Sequence, residues 1–120
     1  MAKYTEFKAC CALLRWWDFY SRVSKIPTNL LFHCPNQSAG GRVNGANLKA
    51  MGVRSGQPDY MLAIARGLHH GLFIEMKSDV GVVSPDQKRV MQTLTIEGYM
   101  VTVCRSSDEA RRTIESYLAL

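Results

Sequence analysis

The sequence has no long hydrophobic run. Near the N-terminus, the longest uninterrupted apolar stretch, residues 9–14, is ended by Arg15. A helix that spans a bilayer needs roughly 20 apolar residues, so no membrane span is predicted. Lys8 and Arg15 flank this stretch without a small-residue cleavage site, which argues against a signal peptide. We therefore expect a cytoplasmic protein without a membrane partner.

Motifs for metal clusters and nucleotides are also missing. The four cysteines include the adjacent pair Cys10 and Cys11, and no CxxC pair or Cys/His series has the spacing of a zinc site. We expect free thiols in a reducing compartment. Without a glycine-rich P-loop or a dinucleotide fingerprint, neither a nucleotide cofactor nor a phosphate-handling metabolic enzyme is favoured. The chain also lacks internal repeats and low-complexity segments.

Acidic residues are few relative to basic ones. Ten Asp and Glu stand against 15 Lys and Arg, which gives a formal net charge of +5. A polyanion such as nucleic acid is compatible with this charge, although charge alone is weak evidence. Because 47% of the 120 residues are hydrophobic and 21% are charged, the composition is that of one globular domain, which we assign to residues 1–120.

Hydrophobic periodicity and turn residues predict alternating helices and strands. Over the first 22 residues, apolar side chains recur at three- and four-residue steps, as in an amphipathic helix. Ser84, Pro85 and Gln87 form a capping box with proline at the first helical position. The predicted elements, in chain order, are a helix at 4–22, a strand at 30–34, a mobile loop at 36–45, a short helix at 45–51, strands at 59–65 and 72–77, a helix from Pro85 to Gly98, a strand at 99–104 and a helix that begins after Ser106 and runs to Leu118.

The connections between these elements predict an α/β fold. The short link at 66–71 contains two glycines, which favours an antiparallel hairpin of the strands at 59–65 and 72–77. The strand–helix–strand piece that follows should be a right-handed parallel crossover, which places the strand at 99–104 beside the hairpin. We therefore predict a small mixed β-sheet flanked by helices.

One predicted core strand, in the stretch GLFIEMKSD, carries two charged residues. Glu75 and Lys77 are two positions apart, so their side chains point to one face of the strand. If the hairpin pairs residue 59 with residue 77, Asp59 joins them on that face. A register slip of one residue would turn Asp59 to the other face, and the sequence does not fix the register.

This group of side chains suits phosphodiester hydrolysis. Two neighbouring carboxylates raise each other's pKa unless a cation lies between them, and oxygen ligands suit a hard divalent ion such as Mg²⁺. A lysine beside the ion can orient a water or stabilise charge that develops on phosphorus. Each residue taken singly also has a structural interpretation: an ion pair for Glu75 with Lys77, a turn residue for Asp59, a complement to the helix dipole for Glu6 and a capping residue for Gln87.

Five short motifs in order carry a resemblance to a known family. They are YTEFK, LKAMGVRSGQPD, LFIEMK, SPDQK and GYMVTVCRSSDEA. Pro58-Asp59 together with Glu75-Met76-Lys77 resembles the PD-(D/E)XK nuclease signature. The whole series resembles the virus-type replication-repair nuclease (VRR-NUC) domain, in its small stand-alone form from phages and bacteria. The similarity covers nearly the whole chain and implies a restriction-endonuclease-like core, with a bacterial host cell as the location of a phage-encoded member.

The resemblance also implies an activity and roles for particular residues. It implies a DNA endonuclease that depends on Mg²⁺ or Mn²⁺, with stand-alone members that resemble homodimers acting on branched DNA such as Holliday junctions in DNA repair. Matching motifs residue by residue, the metal-binding acids are Asp59 and Glu75, the catalytic lysine is Lys77, the helix-borne acid near the metals is Glu6, the glutamine after the lysine strand is Gln87, and the carbonyl of Met76 is a further metal ligand.

The sequence departs from the family pattern at two places. Gln37 stands where the family commonly has an acidic residue, so we assign no catalytic role to its loop. His69 and His70 lie at the predicted hairpin tip, where we expect surface or DNA-contacting residues rather than metal ligands.

Basic and aromatic residues supply candidate contacts to DNA and to a second subunit. Flanking phosphates need cations outside the acidic pocket, and for these contacts we select Arg42, Lys49, Arg54, Lys88 and Arg89. For Lys88 and Arg89, a solvated helix face is an equal alternative. A C2 dimer would match two-fold symmetric cleavage. Trp16, Trp17 and Phe19 widen the apolar surface of the first helix, either as part of that interface or as additional core.

Competing functions remain open at this point. A structure-selective endodeoxyribonuclease is favoured by the intact set of acids and lysine. A non-catalytic DNA-binding module on a nuclease-like fold, or a DNA exonuclease, would preserve most of the same pattern.

Overall fold

The predicted order of helices and strands is confirmed by a computed structural model, which describes residues 2–36 and 42–120, with side chains for 5–36 and 45–120. The second helix begins three residues before the predicted start, so the end of the predicted mobile loop is helical, and residues 37–41 of that loop lie outside the described residues. The elements are α1 (Ala2–Val23), a 3-10 turn (Thr28–Leu30), β1 (Leu31–His33), α2 (Arg42–Ala50), β2 (Tyr60–Leu62), β3 (Leu72–Met76), α3 (Pro85–Ile96), β4 (Met100–Cys104) and α4 (Ser107–Leu118).

The four strands form one mixed sheet in the order β1-β2-β3-β4. The pairs β1/β2 and β2/β3 are antiparallel, while β3/β4 is parallel and is connected through α3. Every residue of β3 is buried, because this strand is central in the sheet and is covered on both faces. The predicted α/β class and the hairpin followed by a parallel strand are confirmed.

The hairpin register differs from the predicted one by two residues. Tyr60 lies opposite Ile74, so the next position places Asp59 opposite Glu75 and not opposite Lys77. A pairing of 59 with 77 would be centred on residue 68. In the observed hairpin, Arg66 and His69 pair across a two-residue turn of Gly67 and Leu68, and the φ of Gly67, 56°, is left-handed and favours glycine. Because the shift is even, Asp59 keeps the predicted face of the ribbon.

The hydrophobic core lies between the sheet and the helices α1 and α4. Leu13 and Trp17 from α1 and Ile114 and Tyr117 from α4 are fully buried or nearly so, together with the side chains of β2 and β3 that alternate toward them. The Tyr117 hydroxyl donates to the carbonyl of Ile64 at 2.6 Å, which fixes α4 against the hairpin. The opposite face of β3 carries Phe73, which packs on Tyr99, and Glu75.

The aromatic residues of α1 divide between core and surface. Trp17 is 0% exposed and its indole N–H donates to the carbonyl of Thr28 at 2.8 Å, so of the two predicted alternatives, interface or additional core, it belongs to the core. Trp16 stacks on Tyr20 with ring centroids 4.6 Å apart and packs against that core. Phe19 is exposed, and its place in a dimer stays a prediction.

The four cysteines have free thiols, with Cys104 buried and the others partly buried. Within the stretches 2–36 and 42–120, no helix has the length and apolar character to cross a bilayer.

Candidate active site

Glu75 and Lys77 meet at the carboxyl end of β3. The Lys77 ammonium lies 3.3 Å from Glu75 Oε2, and the two side chains are 14% and 4% exposed. The ion pair that the sequence suggested for Glu75 and Lys77 is therefore present, and it is buried. Two charges that are removed from water in this way need further partners, because desolvation costs more than an isolated pair recovers.

Asp59 is brought to the same place by the sheet. Its carbonyl accepts the N–H of Cys34 at 2.7 Å, which extends the β1/β2 ladder by one position. Its carboxylate oxygen Oδ2 accepts the backbone N–H of Met76 at 2.7 Å, between the two charged residues of β3. Asp59 and Glu75 therefore share a face and an end of the ribbon, as predicted, despite the different register.

The pKa of each of the two carboxyls is raised, chiefly by burial. Burial raises the pKa of Glu75 to about 7, the charge of Asp59 adds to this rise, and Lys77 opposes it. Burial also raises the pKa of Asp59, against the lowering effect of the hydrogen bond from Met76. A pair of acids held in this state gains most from an added cation, since the cation favours the charged form of both.

Glu6 lies near this pair but has a separate partner. Its Oε1 accepts the backbone N–H of Ser78 at 3.1 Å. Since α1 begins at Ala2, Glu6 is beyond the first turn and does not complement the helix dipole there. Among the described residues, no three His, Cys, Asp or Glu side chains form a group that could hold a metal ion. A ligand role for Glu6 stays a prediction.

Gln87 caps α3, as one of the two interpretations of the sequence predicted, and also contacts Glu75, while its catalytic role stays a prediction. Its Oε1 accepts the N–H of Ser84 at 2.9 Å, and Ser84 Oγ accepts the N–H of Gln87 at 3.1 Å, which completes the predicted capping box. Its Nε2 donates to Glu75 Oε2 at 3.1 Å. The start of α3 is thereby tied to the buried carboxylate.

The remaining oxygen of Glu75 provides the observation that bears on a metal. Oε1 is buried and has no hydrogen-bond partner among the described residues, whereas Oε2 accepts from both Lys77 and Gln87. A buried anionic oxygen without a donor is costly. An oxygen ligand set with one uncompensated site fits a hard divalent cation. The carbonyl of Met76 as a further ligand stays a prediction.

Removing the Gln87 amide tests its contact with Glu75 separately from its capping role. Gln87→Ala and Ser84→Ala each break the capping box and should each cost about 0.5–2 kcal/mol of stability. Only Gln87→Ala removes the donor to Glu75, and we expect cleavage to fall about 10- to 100-fold, as for a lost hydrogen bond to a charged group. Chemical denaturation and single-turnover cleavage measure the two effects. Equal activity of the two variants would contradict the contact's role.

The predicted DNA-contacting cations are exposed wherever their side chains are described. Lys49, Arg54 and Lys88 are exposed. Arg89 is also exposed and is engaged by Asp86 at 3.2 Å. Arg54 lies in the segment between α2 and Asp59, while Lys88 and Arg89 follow Gln87 in α3. The side chain of Arg42 lies outside those described, so its predicted role is not addressed.

Arg105 is a residue near the site that the sequence interpretation missed. Its Nη1 donates to the carbonyls of Ser78 at 2.8 Å and Gly81 at 2.7 Å, which holds the segment that follows Lys77. The predicted parallel pairing of the two strands could have indicated it, because Arg105 follows β4 as Lys77 follows β3. The pairing is extended by the N–H of Lys77, which donates to the carbonyl of Cys104 at 2.9 Å. Residues that follow neighbouring parallel strands lie at one edge of the sheet.

His69 and His70 lie at the other end of the hairpin from the acids. The ring of His69 is 6.2 Å from that of Tyr117, and the ring of His70 is 5.9 Å from that of Tyr99. A role in contacting DNA stays a prediction for both.

Comparisons with known proteins match one family over most of the chain. The model of the VRR-NUC domain matches residues 3–108. One solved structure, of a VRR_NUC domain protein, is similar with a TM-score of 0.76 and 31% sequence identity, over 97% of this chain and 89% of that chain. No match was found among curated proteins.

Proposed function

The chain belongs to the VRR-NUC family of nucleases, and from that premise we propose that it is a metal-dependent endodeoxyribonuclease that hydrolyses branched DNA of the Holliday-junction type. The observation that carries the proposal is the pair of buried carboxylates, Asp59 and Glu75, with Lys77 beside them and one Glu75 oxygen left without a donor.

Mg²⁺ or Mn²⁺ is the proposed cofactor. Asp59 and Glu75 would hold it, with the carbonyl of Met76 and Glu6 as the further ligands that the family pattern suggests. When bound, such an ion polarises a phosphodiester and lowers the pKa of a water. The hydrogen bond from Gln87 and the contact from Lys77 both fall on Glu75 Oε2, so they orient the carboxylate with Oε1 toward the ion.

Lys77 is the proposed catalytic cation. Its stem is nearly buried, which limits the number of positions that its ammonium can take. A fixed ammonium beside the scissile phosphate can donate to a non-bridging oxygen, where negative charge increases as water attacks and the leaving oxygen departs. The buried setting strengthens this interaction relative to water.

Branched DNA and a homodimer are the finer parts of the proposal. A body with principal extents of 40 × 31 × 27 Å cannot surround a four-way junction, whereas a C2 dimer would present two matching sites to two symmetric strands. The net charge of +5 supports phosphate binding across such a surface. Light scattering should then give twice the chain mass of 13.5 kDa.

Matched linear, flap and four-way DNAs test the proposal. Each is incubated with the protein in Mg²⁺, in Mn²⁺ and in excess chelator, and the products are mapped on every strand. We expect symmetric nicks near the branch of the four-way DNA and no product with chelator.

Two other outcomes would replace the proposal with one of its alternatives. Progressive shortening from strand ends would make the protein an exonuclease. Binding that is independent of metal, without any cleavage, would make it a non-catalytic DNA-binding module.

A further inference from the structure

A groove of about 470 Å³ opens beside Asp59 and is not used by the hydrolytic groups described above. One wall comes from α1 and the other from residues at the ends of the first two strands. Asp59 belongs to both the groove and the acidic pair, so a group held in the groove is next to the bond that the acids would act on. The lining used below is Phe7, Cys10, Leu14, His33 and Tyr60.

The lining of this groove suits a flat apolar ligand that has polar edges. Phe7 at its rim is 65% exposed, so its ring is accessible to a stacking partner. Burial raises the pKa of the Cys10 thiol, so this part of the wall is uncharged at neutral pH. Opposite the apolar helix face, His33 provides ring nitrogens, while Tyr60 is hydrogen-bonded to Cys10.

A second, basic groove continues on the other side of Phe7. It measures about 360 Å³ and is lined by Phe7, Lys8, Cys11 and Arg15. The two grooves share Phe7 and Cys11 and so form one surface along α1. An apolar cavity between an acidic, metal-suited end and a basic end matches the alternation of phosphate, base and phosphate along one nucleic-acid strand.

We propose that this groove holds one unpaired nucleobase of the DNA strand being cut, stacked on Phe7, with the adjoining phosphate toward Arg15. The inference rests on the proposed nuclease function and deepens it by naming the feature of the substrate that is recognised. A base inside a duplex is stacked and cannot enter, whereas a branch point offers bases that leave the stack at low cost. Branch selectivity would then come from access to one unpaired base.

An abasic substitution combined with a change at Phe7 tests this directly. After the cut is mapped on four-way DNA, an abasic analogue is placed at each flanking nucleotide in turn, and kcat/KM is measured for the protein and for Phe7→Ala. At one flanking position we expect the abasic site to lower kcat/KM about tenfold, the effect of losing one stacked base. Phe7→Ala should lower it equally on intact DNA and cause no further loss on abasic DNA.

Phe19→Ala is the matched control, because Phe19 is an equally exposed phenylalanine of α1 outside both grooves. The ratio of rates on intact and abasic DNA should be unchanged in this variant. Phe7→Trp, which keeps an aromatic ring, should retain the difference in kcat/KM between intact and abasic DNA that Phe7→Ala removes. Additive losses from Phe7→Ala and the abasic site would overturn the inference. So would a change of the solution mass on Phe7→Ala, since the groove would then be a contact between two copies of the chain.

A binding measurement separates failure of this inference from failure of the nuclease proposal. 2-Aminopurine placed at the flanking position changes its fluorescence when it leaves the stack. With Lys77→Met, we expect a fluorescence change on binding that is lost when Phe7→Ala is added. If the unaltered protein cuts no DNA, the nuclease proposal fails, and the fluorophore is then placed at the branch. Absence of a Phe7-dependent signal there would overturn the groove assignment, and its presence would support it.

Discussion

Replacing Lys77 with methionine is expected to lower the rate constant for DNA cleavage by about 10²- to 10³-fold, the usual loss when one donor to a developing negative charge is removed. Methionine keeps an unbranched apolar stem in a position that is only 14% exposed, and it removes the ammonium that lies 3.3 Å from Glu75 Oε2. The fold should be retained, which a thermal melt can verify. Single-turnover cleavage of four-way DNA at saturating metal measures the loss.

The same substitution has a second effect that the experiment must separate. The charge of Lys77 opposes the burial and Asp59 effects that raise the pKa of Glu75, so its removal raises that pKa further. At pH 7 the variant would therefore lose activity partly because Glu75 is protonated. At pH 9 Glu75 should be ionised in both proteins, and a loss that persists there belongs to the ammonium itself. Full recovery at pH 9 would show that Lys77 only maintains the charge of Glu75.

Lys88→Met provides the comparison for a lysine that contacts phosphate from the surface. Lys88 is exposed in the first turn of α3. Its replacement should weaken DNA binding, with a smaller salt dependence, and leave the single-turnover rate constant unchanged at saturating protein.

Glu75→Gln is expected to stabilise the metal-free protein at pH 8 by up to about 3 kcal/mol and to leave its stability at pH 4 nearly unchanged. The folded protein holds the pKa of Glu75 at about 7, above its ordinary value of 4.5, chiefly because the carboxyl is buried. Folding therefore favours the protonated form. The stability that this group contributes is fully present below pH 4.5 and is lost as the pH rises through 7. Glutamine is neutral throughout, so it avoids this loss.

Denaturant titrations in chelator at several pH values measure this effect. The difference between Glu75→Gln and the unaltered protein isolates Glu75 from the other titrating groups. Glu97→Gln, at an exposed position, should show no such difference. Adding Mg²⁺ at pH 8 should stabilise the unaltered protein but not Glu75→Gln, because a ligand stabilises only the state that binds it. A larger gain from Glu75→Gln at pH 4 than at pH 8 would contradict the assigned direction.

The sequence predicts on which face of the hairpin the acidic pair lies, but it does not predict the register of the hairpin. Glu75 and Lys77 are fixed on one face by strand alternation alone, and any even shift of the hairpin keeps Asp59 with them. The register itself depends on which tip residue adopts positive φ. Gly67 takes this conformation. The link between the strands also contains Gly71, and nothing in the sequence indicates which of the two glycines forms the turn.

Contacts between segments that are distant in the sequence were harder to predict than the local motifs. The Ser84–Gln87 capping box was predictable because both partners lie within one turn, whereas the bond from Gln87 to Glu75 requires the path of α3 across the sheet. Arg105 likewise reaches Ser78 and Gly81 only through the pairing of β3 with β4. The exposed Phe19 and the buried Trp17 have similar sequence settings and differ only in which side of α1 meets the core.

The capping box at the start of α3 narrows the choice of residue at position 87 beyond what a helix requires. A helix start accepts glutamate or glutamine there with little distinction, since either side chain can receive the N–H of the capping residue. In this protein the nitrogen of the same amide group faces Glu75 Oε2, an oxygen of a carboxylate that is buried beside a second acid, Asp59. Glutamate would place a third anion in that space. Gln87→Glu would therefore keep the cap of α3 and disturb Glu75, so the amide nitrogen, and not the cap, is what distinguishes glutamine from glutamate at this position.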